Sequence, residues 1–463
     1  MKVIKLLITI LILLLHISTA PVAQAAVKQP LSPEYVDAYF TSVAASSCLG
    51  IYLPQTSYEF NYLRSYGWHI EPKTETNGKI EANFAIAHNY FPELGKRIYL
   101  VTFRGSASKG DWKINLKTGK VSFGGSTLEE MDAISKQPVP ENAPAVHEGF
   151  NTYTDTVLRS SVVDENGQLM GVFRTVKEEP NAYLVLTGHS LGGAVATLIG
   201  ERLIDLGLPK EKFVVVTFGA PAVGNEPFAN EYGEKIQLLR ITNTADPIPG
   251  SLQTFFGGYK QFGQHIKYNL STKVDSIQHD MAMYFDYSIS QYYKEFDRQV
   301  KLDRLYDLPD NRRMEGTPMV AVWLQSSQGL KKIAYATDIK RMLTDSYKKM
   351  LPSYMIMEKE LGKDEYTQRD IIAISRKAGA DYVLICGIDG SQPQDQKYWY
   401  LTLEQSLFDN DGRMLSMASL GKKVMPAVGN IQATGENMQQ AREELAAKLP
   451  FVITTYRPLL TER

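Results

Sequence analysis

The chain is poor in cysteine. Cys48 and Cys386 are the only two in 463 residues, which excludes a scaffold stapled by disulfides. They lie far apart and, on the organisation read below, in different domains, so two buried free thiols are expected. An excess charge of one sign is also missing. Fifty Lys and Arg stand against 51 Asp and Glu, a formal net charge of −1. A nucleic-acid binder needs a basic excess to meet the phosphates, so that class is disfavoured. No low-complexity tract, internal repeat or block of like charge occurs. Beyond the first residues no apolar run reaches the roughly 20 residues that span a bilayer. The seven histidines show no H-E-x-x-H or comparable ligand spacing. A metal site is therefore not expected, and the serine chemistry read below needs no other cofactor.

What is present begins with a targeting pattern. Lys2 and Lys5 give a positive start, Leu6 to Ile17 are almost wholly apolar, and Ala23-Gln24-Ala25 is a small-x-small cleavage site before Ala26. These are the parts of a secretory signal peptide, and the apolar run is too short for a membrane anchor. No cysteine stands near the cleavage site, which argues against a lipoprotein. Export to the periplasm or the medium is the expectation. The remainder, 44% apolar and 22% charged over the whole chain, has the profile of a globular protein. Its length suits two or three domains at roughly 100–200 residues each.

Pro33 to Leu49 reads as a helix with proline at its start. Tyr99–Phe103, Tyr183–Thr187, Phe213–Phe218 and Ile236–Thr242 read as strands. The second and third are nearly continuous in apolar residues, as strands buried on both faces of a parallel sheet must be. Helical stretches such as Leu191 to Leu206 lie between them, which indicates an α/β layered domain. Asp280 to Leu305 reads as one long helix that ends in a polar, proline-broken stretch around Pro309. The predicted division is a signal peptide over 1–25, an α/β domain over 26–306, a linker over 307–315, and a smaller α+β domain over 316–463. In the last, Met319–Leu324 and Tyr382–Gly387 are strand candidates. Asp338–Met350, Gln368–Ala378 and Asn437–Leu449 are helical. Tyr398–Phe408 and Met414–Lys422 form a hairpin about Asp409-Asn410-Asp411-Gly412.

The chemistry is carried by Gly188-His189-Ser190-Leu191-Gly192, a G-x-S-x-G. Alone that pattern is weak. Here a β run ends at Thr187 and a helix-forming stretch begins at Leu191, and strand, sharp turn and helix are what a nucleophile elbow requires. The flanking glycines give the turn room, and the helix start aims backbone N–H groups at developing negative charge. A serine hydroxyl needs a base and an orienting acid, which in this fold follow it in the order acid, then histidine. Asp246 sits just beyond the Ile236–Thr242 strand, where active-site groups gather in α/β sheets. Asp275 and Asp280 are weaker rivals, too close to the later histidine to reach it from a separate strand. His265 and His279 are the two histidines that follow.

Several blocks resemble the class 3, or fungal-type triglyceride, lipase family over roughly residues 35–295. Thr102-Phe103-Arg104-Gly105-Ser106 resembles its oxyanion-loop block, with Asp111-Trp112 at the family spacing. Val146-His147-Glu148-Gly149-Phe150 resembles V-H-x-G-F, Thr187 to Ala194 matches the nucleophile block, and Thr217 to Asn225 resembles T-F-G-x-P-x-V-G-N. Arg240 to Pro249 is similar to the acid-bearing segment, and His279-Asp280-Met281-Ala282-Met283-Tyr284 to the H-x-M-x-x-Y ending. The resemblance implies an α/β-hydrolase fold, Ser190 as nucleophile, Asp246 as orienting acid and His279, rather than His265, as base. It also implies backbone N–H groups of Ser106 and Leu191 as the oxyanion hole, with His147 and His189 structural. Gln261 stands where the family usually has a non-catalytic histidine.

The resemblance further implies a carboxylester hydrolase that acts on lipid esters through an acyl-enzyme and makes transient contact with lipid surfaces. A phospholipase A1-like enzyme is a close variant, and an inactive binding module a more distant one. The family keeps a lid between the oxyanion loop and the next block, here Lys113 to Ala145, with Leu128, Met131 and Ile134 as an apolar stripe. A mobile lid and a plain surface excursion both fit that stretch. Ala378 to Gly387 with the following hairpin is similar to small envelope-protein domains, such as the amino-terminal domain of TolB and the curli-secretion lipoproteins. That likeness would imply an envelope partner for residues 316–463. An envelope-interaction protein with an accessory lipase domain is the corresponding alternative.

Overall fold

The computed structural model describes residues 31–454, except 77–79, 93, 107–118, 161–168, 256, 271–277, 361–365, 395–397 and 425–427. The signal-peptide pattern, Asp111-Trp112, Asp275 and the first part of the expected lid fall outside the described residues. The chain divides into two compact units, one of residues up to Thr56 plus Trp68–Ser288, the other of Ser57–Gly67 plus Ile289 onward.

The first unit opens with α1 (Pro33–Gly50), whose Ser32 side chain accepts from the Tyr35 amide and caps the helix. Helix α2 (Tyr58–Ser65) groups with the second unit. Strands β1 (His69–Thr76), β2 (Glu81–Phe91) and β3 (Lys96–Phe103) run antiparallel in turn. A two-stranded ribbon, β4 (Lys120–Ser122) with β5 (Ala145–His147), encloses α3 (Leu128–Ser135). After α4 (Glu148–Ser160) and α5 (Leu169–Glu178) comes β6 (Ala182–His189), then α6 (Leu191–Asp205), β7 (Phe213–Phe218), α7 (Glu226–Tyr232) and β8 (Leu238–Asn243). Helix α8 (Ile248–Phe255), β9 (Gln264–Tyr268) and α9 (Met281–Lys301) follow. The strand order is β1-β2-β3-β6-β7-β8-β9, with β3, β6, β7, β8 and β9 mutually parallel. Every residue of β6 and β7 is buried, as two covered faces demand. This mixed sheet with helices over it is the α/β-hydrolase arrangement. Its core runs from Phe84, Val101 and Phe103 through Leu184, Leu186 and Val215 to Val195, Leu198 and Ile199 of α6.

The second unit holds β10 (Asn311–Arg312), β11 (Val320–Ser326), α10 (Ala336–Met350), β12 (Tyr354–Glu360), α11 (Gln368–Lys377), β13 (Tyr382–Ser391), β14 (Trp399–Asp409), β15 (Met414–Val424) and α12 (Asn430–Ala446). The sheet order is β10-β12-β11-β13-β14-β15. Strand β11 is parallel to both neighbours, and β13, β14 and β15 form an antiparallel meander. It is the smaller α+β partner of the first unit. Its core gathers Met319, Ala321, Trp323, Ile371, Val383 and Phe408. Asp409 closes the hairpin by accepting from the amides of Asp411 at 3.0 Å and Arg413 at 2.9 Å. The stretch 307–315, read above as a linker, contains β10, which pairs with β12. The Pro309 carbonyl accepts from Tyr354 Oη at 3.0 Å. Its polar residues suit a short edge strand as well as they suit a connection. The change of unit falls earlier, at Ser288/Ile289, inside α9. Cys48 and Cys386 are both buried free thiols. Among the described residues, no helix is long and apolar enough to cross a membrane.

Candidate active site

Ser190 sits where β6 turns into α6. Its φ of 57° and ψ of −125° are strained for a residue with a Cβ. The strain is held by the sheet: the Ser190 amide donates to Phe218 O on β7 at 2.9 Å, and the side chains of β6 are locked in the core. The turn has no room to relax on the far side either. A Cβ on Gly192 would lie 2.0 Å from Phe103 O, so only glycine lets the end of β3 and the loop after it approach the elbow this closely.

The structure brings His279 and Asp246 to this point. His279 Nε2 lies 2.8 Å from Ser190 Oγ, and His279 Nδ1 lies 2.8 Å from Asp246 Oδ2. The Asp246 carboxylate can only accept, so the proton resides on Nδ1 and Nε2 accepts from the serine hydroxyl. The side chain of Asp246 is fully buried, while that of His279 keeps a quarter of its surface exposed. Buried carboxylates need partners, and Asp246 has three. Besides His279, Tyr284 Oη donates to Oδ2 at 2.7 Å and the Ile248 amide donates to Oδ1 at 2.9 Å. Tyr284 Oη in turn accepts from the Asn243 amide at 2.9 Å. Burial first and the Asp246 charge second push the Tyr284 phenol well above its ordinary range, so it stays a donor. Asn243 Nδ2 donates to Gln278 O at 3.1 Å and to Gln278 Oε1 at 2.8 Å. That fastens the residue before His279 to the end of β8. Tyr284 and Asn243 escape sequence reasoning in these roles, although Tyr284 closes the H-x-M-x-x-Y block and Asn243 stands three residues before Asp246.

The rival residues lie elsewhere. His265 is on β9, and its Nε2 meets Thr242 Oγ1 at 2.7 Å. Asp280 Oδ1 accepts from the Ala282 amide at 3.0 Å, which caps the start of α9. His147 is fully buried, accepts from the Gly149 amide at 3.1 Å and stacks on Phe150, the bond pattern of a helix start. Gln261 donates from Nε2 to Pro249 O at 3.0 Å and Ala220 O at 3.3 Å, so the departure from the family's histidine leaves a satisfied polar group. Leu191 is the first residue of α6, whose leading amides have no acceptor within the helix. Ser106 lies just beyond β3, with its Oγ buried and unpartnered.

Residues 119–145 are held to the unit at a few points, while 136–142 are exposed. Met131 is buried, and Arg159 Nη2 donates to Leu128 O at 2.9 Å. Arg202 of α6 lies over the Phe123 ring at 3.7 Å and donates to Gly124 O at 2.8 Å. No cluster of three or more His, Cys, Asp or Glu placed to hold a metal ion occurs among the described residues.

Residues 100–255 match the family model described as "Lipase (class 3)". The chain is similar to the rice (Oryza sativa subsp. indica) protein "Phospholipase A1 EG1, chloroplastic/mitochondrial", 31% identical over 193 residues, 39% of this chain and 42% of that one. It is also similar to "Galactolipase DONGLE, chloroplastic" of Arabidopsis thaliana, 33% identical over 179 residues, 34% of this chain and 35% of that one. The chain thus spans about two-fifths of the length of the curated relatives it matches. Among solved structures, the Rhizomucor miehei triacylglyceride lipase is 23% identical with a TM-score of 0.39, over 51% of this chain and 81% of that one. The G-x-S-x-G elbow between β6 and α6 lies within the segment that is similar to the class 3 lipase family.

Proposed function

We propose that the protein is a serine carboxylester hydrolase that cleaves lipid esters through an acyl-enzyme on Ser190. The observation that carries this reading is the directed chain Ser190 Oγ–His279–Asp246, 2.8 Å at each step. His279 takes the hydroxyl proton as Oγ attacks the ester carbonyl, and Asp246 stabilises the imidazolium that forms. The amides of Ser106 and Leu191 receive the oxyanion of the tetrahedral intermediate. His279 then protonates the leaving alcohol, and the same base activates the water that frees the acid. No residue in this sequence of steps calls for a metal or cofactor.

The substrate class is lipid ester, met at a lipid surface. The relatives include a phospholipase A1 and a galactolipase, so a phospholipase A1-like preference is the variant reading. The leader pattern over 1–25 supports action outside the cytoplasm, in the periplasm or the medium. An envelope partner for residues 316–463 rests on the sequence likeness of Ala378–Gly387 alone.

The test is hydrolysis of a short and a long p-nitrophenyl ester by the chain from Ala26 onward, beside Ser190→Ala. Turnover that falls on the order of 10⁴–10⁶-fold in the variant is expected. Equal inactivity of both proteins on both esters and on emulsified lipid would overturn the reading.

A further inference from the structure

Tyr52 lies two residues past α1, and no step above uses it. Its Oη accepts from the Gly105 amide at 2.9 Å and lies 3.2 Å from His189 Nδ1. His189 Nε2 lies 2.9 Å from the backbone carbonyl of His279. The two ends of this chain fix its direction. A backbone amide can only donate and a backbone carbonyl can only accept. The His279 carbonyl therefore requires the proton on His189 Nε2. That leaves Nδ1 of the neutral ring bare, and the Tyr52 hydroxyl donates to it. Every bond in the chain then has one donor and one acceptor, with Tyr52 Oη accepting at one side and donating at the other. Burial, and next to it the charge of His279, hold His189 well below the ordinary histidine range, in keeping with the neutral form. Burial likewise keeps the Tyr52 phenol protonated.

The two loops joined in this way are those the reaction has to keep in step. Gly105 immediately precedes Ser106, so anchoring its amide fixes the peptide adjoining the one that bears the Ser106 N–H. At the other end, the His279 carbonyl belongs to the base itself. The fit is close: a Cβ on Gly105 would lie 2.2 Å from Tyr52 Oη and 2.6 Å from His189 O. Oxyanion donors act through preorganisation, and a loop displaced by a fraction of an ångström loses that advantage.

We infer that Tyr52 and His189 form a positioning relay that holds the Ser106 oxyanion loop in register with the His279 base. This inference rests on the ester-hydrolase reading for its catalytic consequence, but not for the bonds themselves. The experiment therefore has two readouts on the whole chain. The first is hydrogen exchange of the Gly105 amide by NMR. The second is kcat and KM on a p-nitrophenyl ester, with the inhibition constant of an alkylboronic acid that forms a tetrahedral adduct on Ser190. In Tyr52→Phe, Gly105 exchange is expected to rise about tenfold, the worth of one hydrogen bond. The same variant should lose about tenfold in kcat with KM within about twofold, and the boronate should weaken by the kcat factor. His189→Asn keeps an acceptor for the Tyr52 hydroxyl but drops the donor to His279 O. It should leave Gly105 protected and still lower kcat.

A wild-type Gly105 amide that exchanges at the unprotected rate overturns the relay without reference to any variant. So does faster exchange in Tyr52→Phe with kcat and boronate affinity unchanged. If the wild type hydrolyses no ester, the functional reading fails, while the exchange readout still decides whether the bonds exist.

Discussion

Both units lay helices on a sheet with parallel strands at its centre, yet they use buried polar groups in opposite ways. In the second unit these groups close upon one another. Trp323 Nε1 donates to Ser375 Oγ at 2.9 Å. Tyr347 Oη donates to Gln405 Oε1 at 3.0 Å, and Gln405 Nε2 to Ala441 O at 3.0 Å, all of them buried. Such groups fasten a core and have no free end. In the first unit, the bonds from Asn243 through Tyr284 and Asp246 to His279 end on Ser190 Oγ, beside an imidazole that retains exposed surface. A polar chain with an accessible end can pass a proton on, whereas a closed one can only stabilise. The layers are similar in kind, and the difference in chemistry comes from what the connections after β6, β8 and β9 carry.

The largest test of this contrast is Asp246→Asn. The amide would present a donor to His279 Nδ1, force the other tautomer and leave Nε2 unable to accept from Ser190. A loss of about 10⁴ in kcat is expected, with the fold kept. A loss below tenfold on a p-nitrophenyl ester would mean that Asp246 does not orient the base. Gln405→Leu is the matching change in the second unit. It leaves the Ala441 carbonyl without the Gln405 donor, at a cost of about 1–3 kcal/mol. A lower melting transition for the second unit with unchanged ester turnover is expected. A fall in kcat matching that in stability would show that the closed network does serve the reaction, and the contrast would break.

Much of the reactive geometry is legible along the chain because it is built from local patterns. The elbow needs a β run, G-x-S-x-G and a helix start in sequence, and β6 and α6 lie where those patterns end and begin. Phe213–Phe218 is β7 residue for residue, since a strand buried on both faces has one apolar signature. Strand β1 is not legible. It is an outer strand, half of it exposed, with Glu71, Pro72 and Glu75 along it, so it carries no apolar signature of a buried strand. The parts of the site that depend on chain crossing are equally silent. His265 and His279 both follow the acid, and without the likeness of His279–Tyr284 to a family block their order alone would not separate them; the fold turns one toward Thr242 and the other toward Ser190. Tyr52 carries no motif at all, because its value comes from meeting a glycine and a histidine 53 and 137 residues away.

The smallest expected effect separates the two ends of one helix. Helix α6 begins at the elbow, and Glu201 lies eleven residues further on, about 16 Å along the axis. It is fully buried, with neither carboxyl oxygen partnered. Burial, and then the nearby Asp205 charge against the opposing Lys235, raise its pKa to about 9 from an ordinary 4.5. The folded protein thus keeps this proton through neutral pH, while the unfolded chain releases it near 4.5. Between those values folding takes up a proton, so the contribution is full at acid pH and is lost as pH climbs toward 9, with a slope of at most about 1.4 kcal/mol per pH unit. Asp205, also raised by burial, adds a slope of the same sign. Glu201→Gln keeps the shape and removes the titration. Its melting temperature should decline less than that of the wild type between pH 5 and 9, with ester turnover at each pH unchanged. Parallel melting curves for the two proteins would mean that Glu201 is ionised in the fold. A change in turnover would mean that the strain at Ser190 is felt along the whole helix rather than held by β6 and β7.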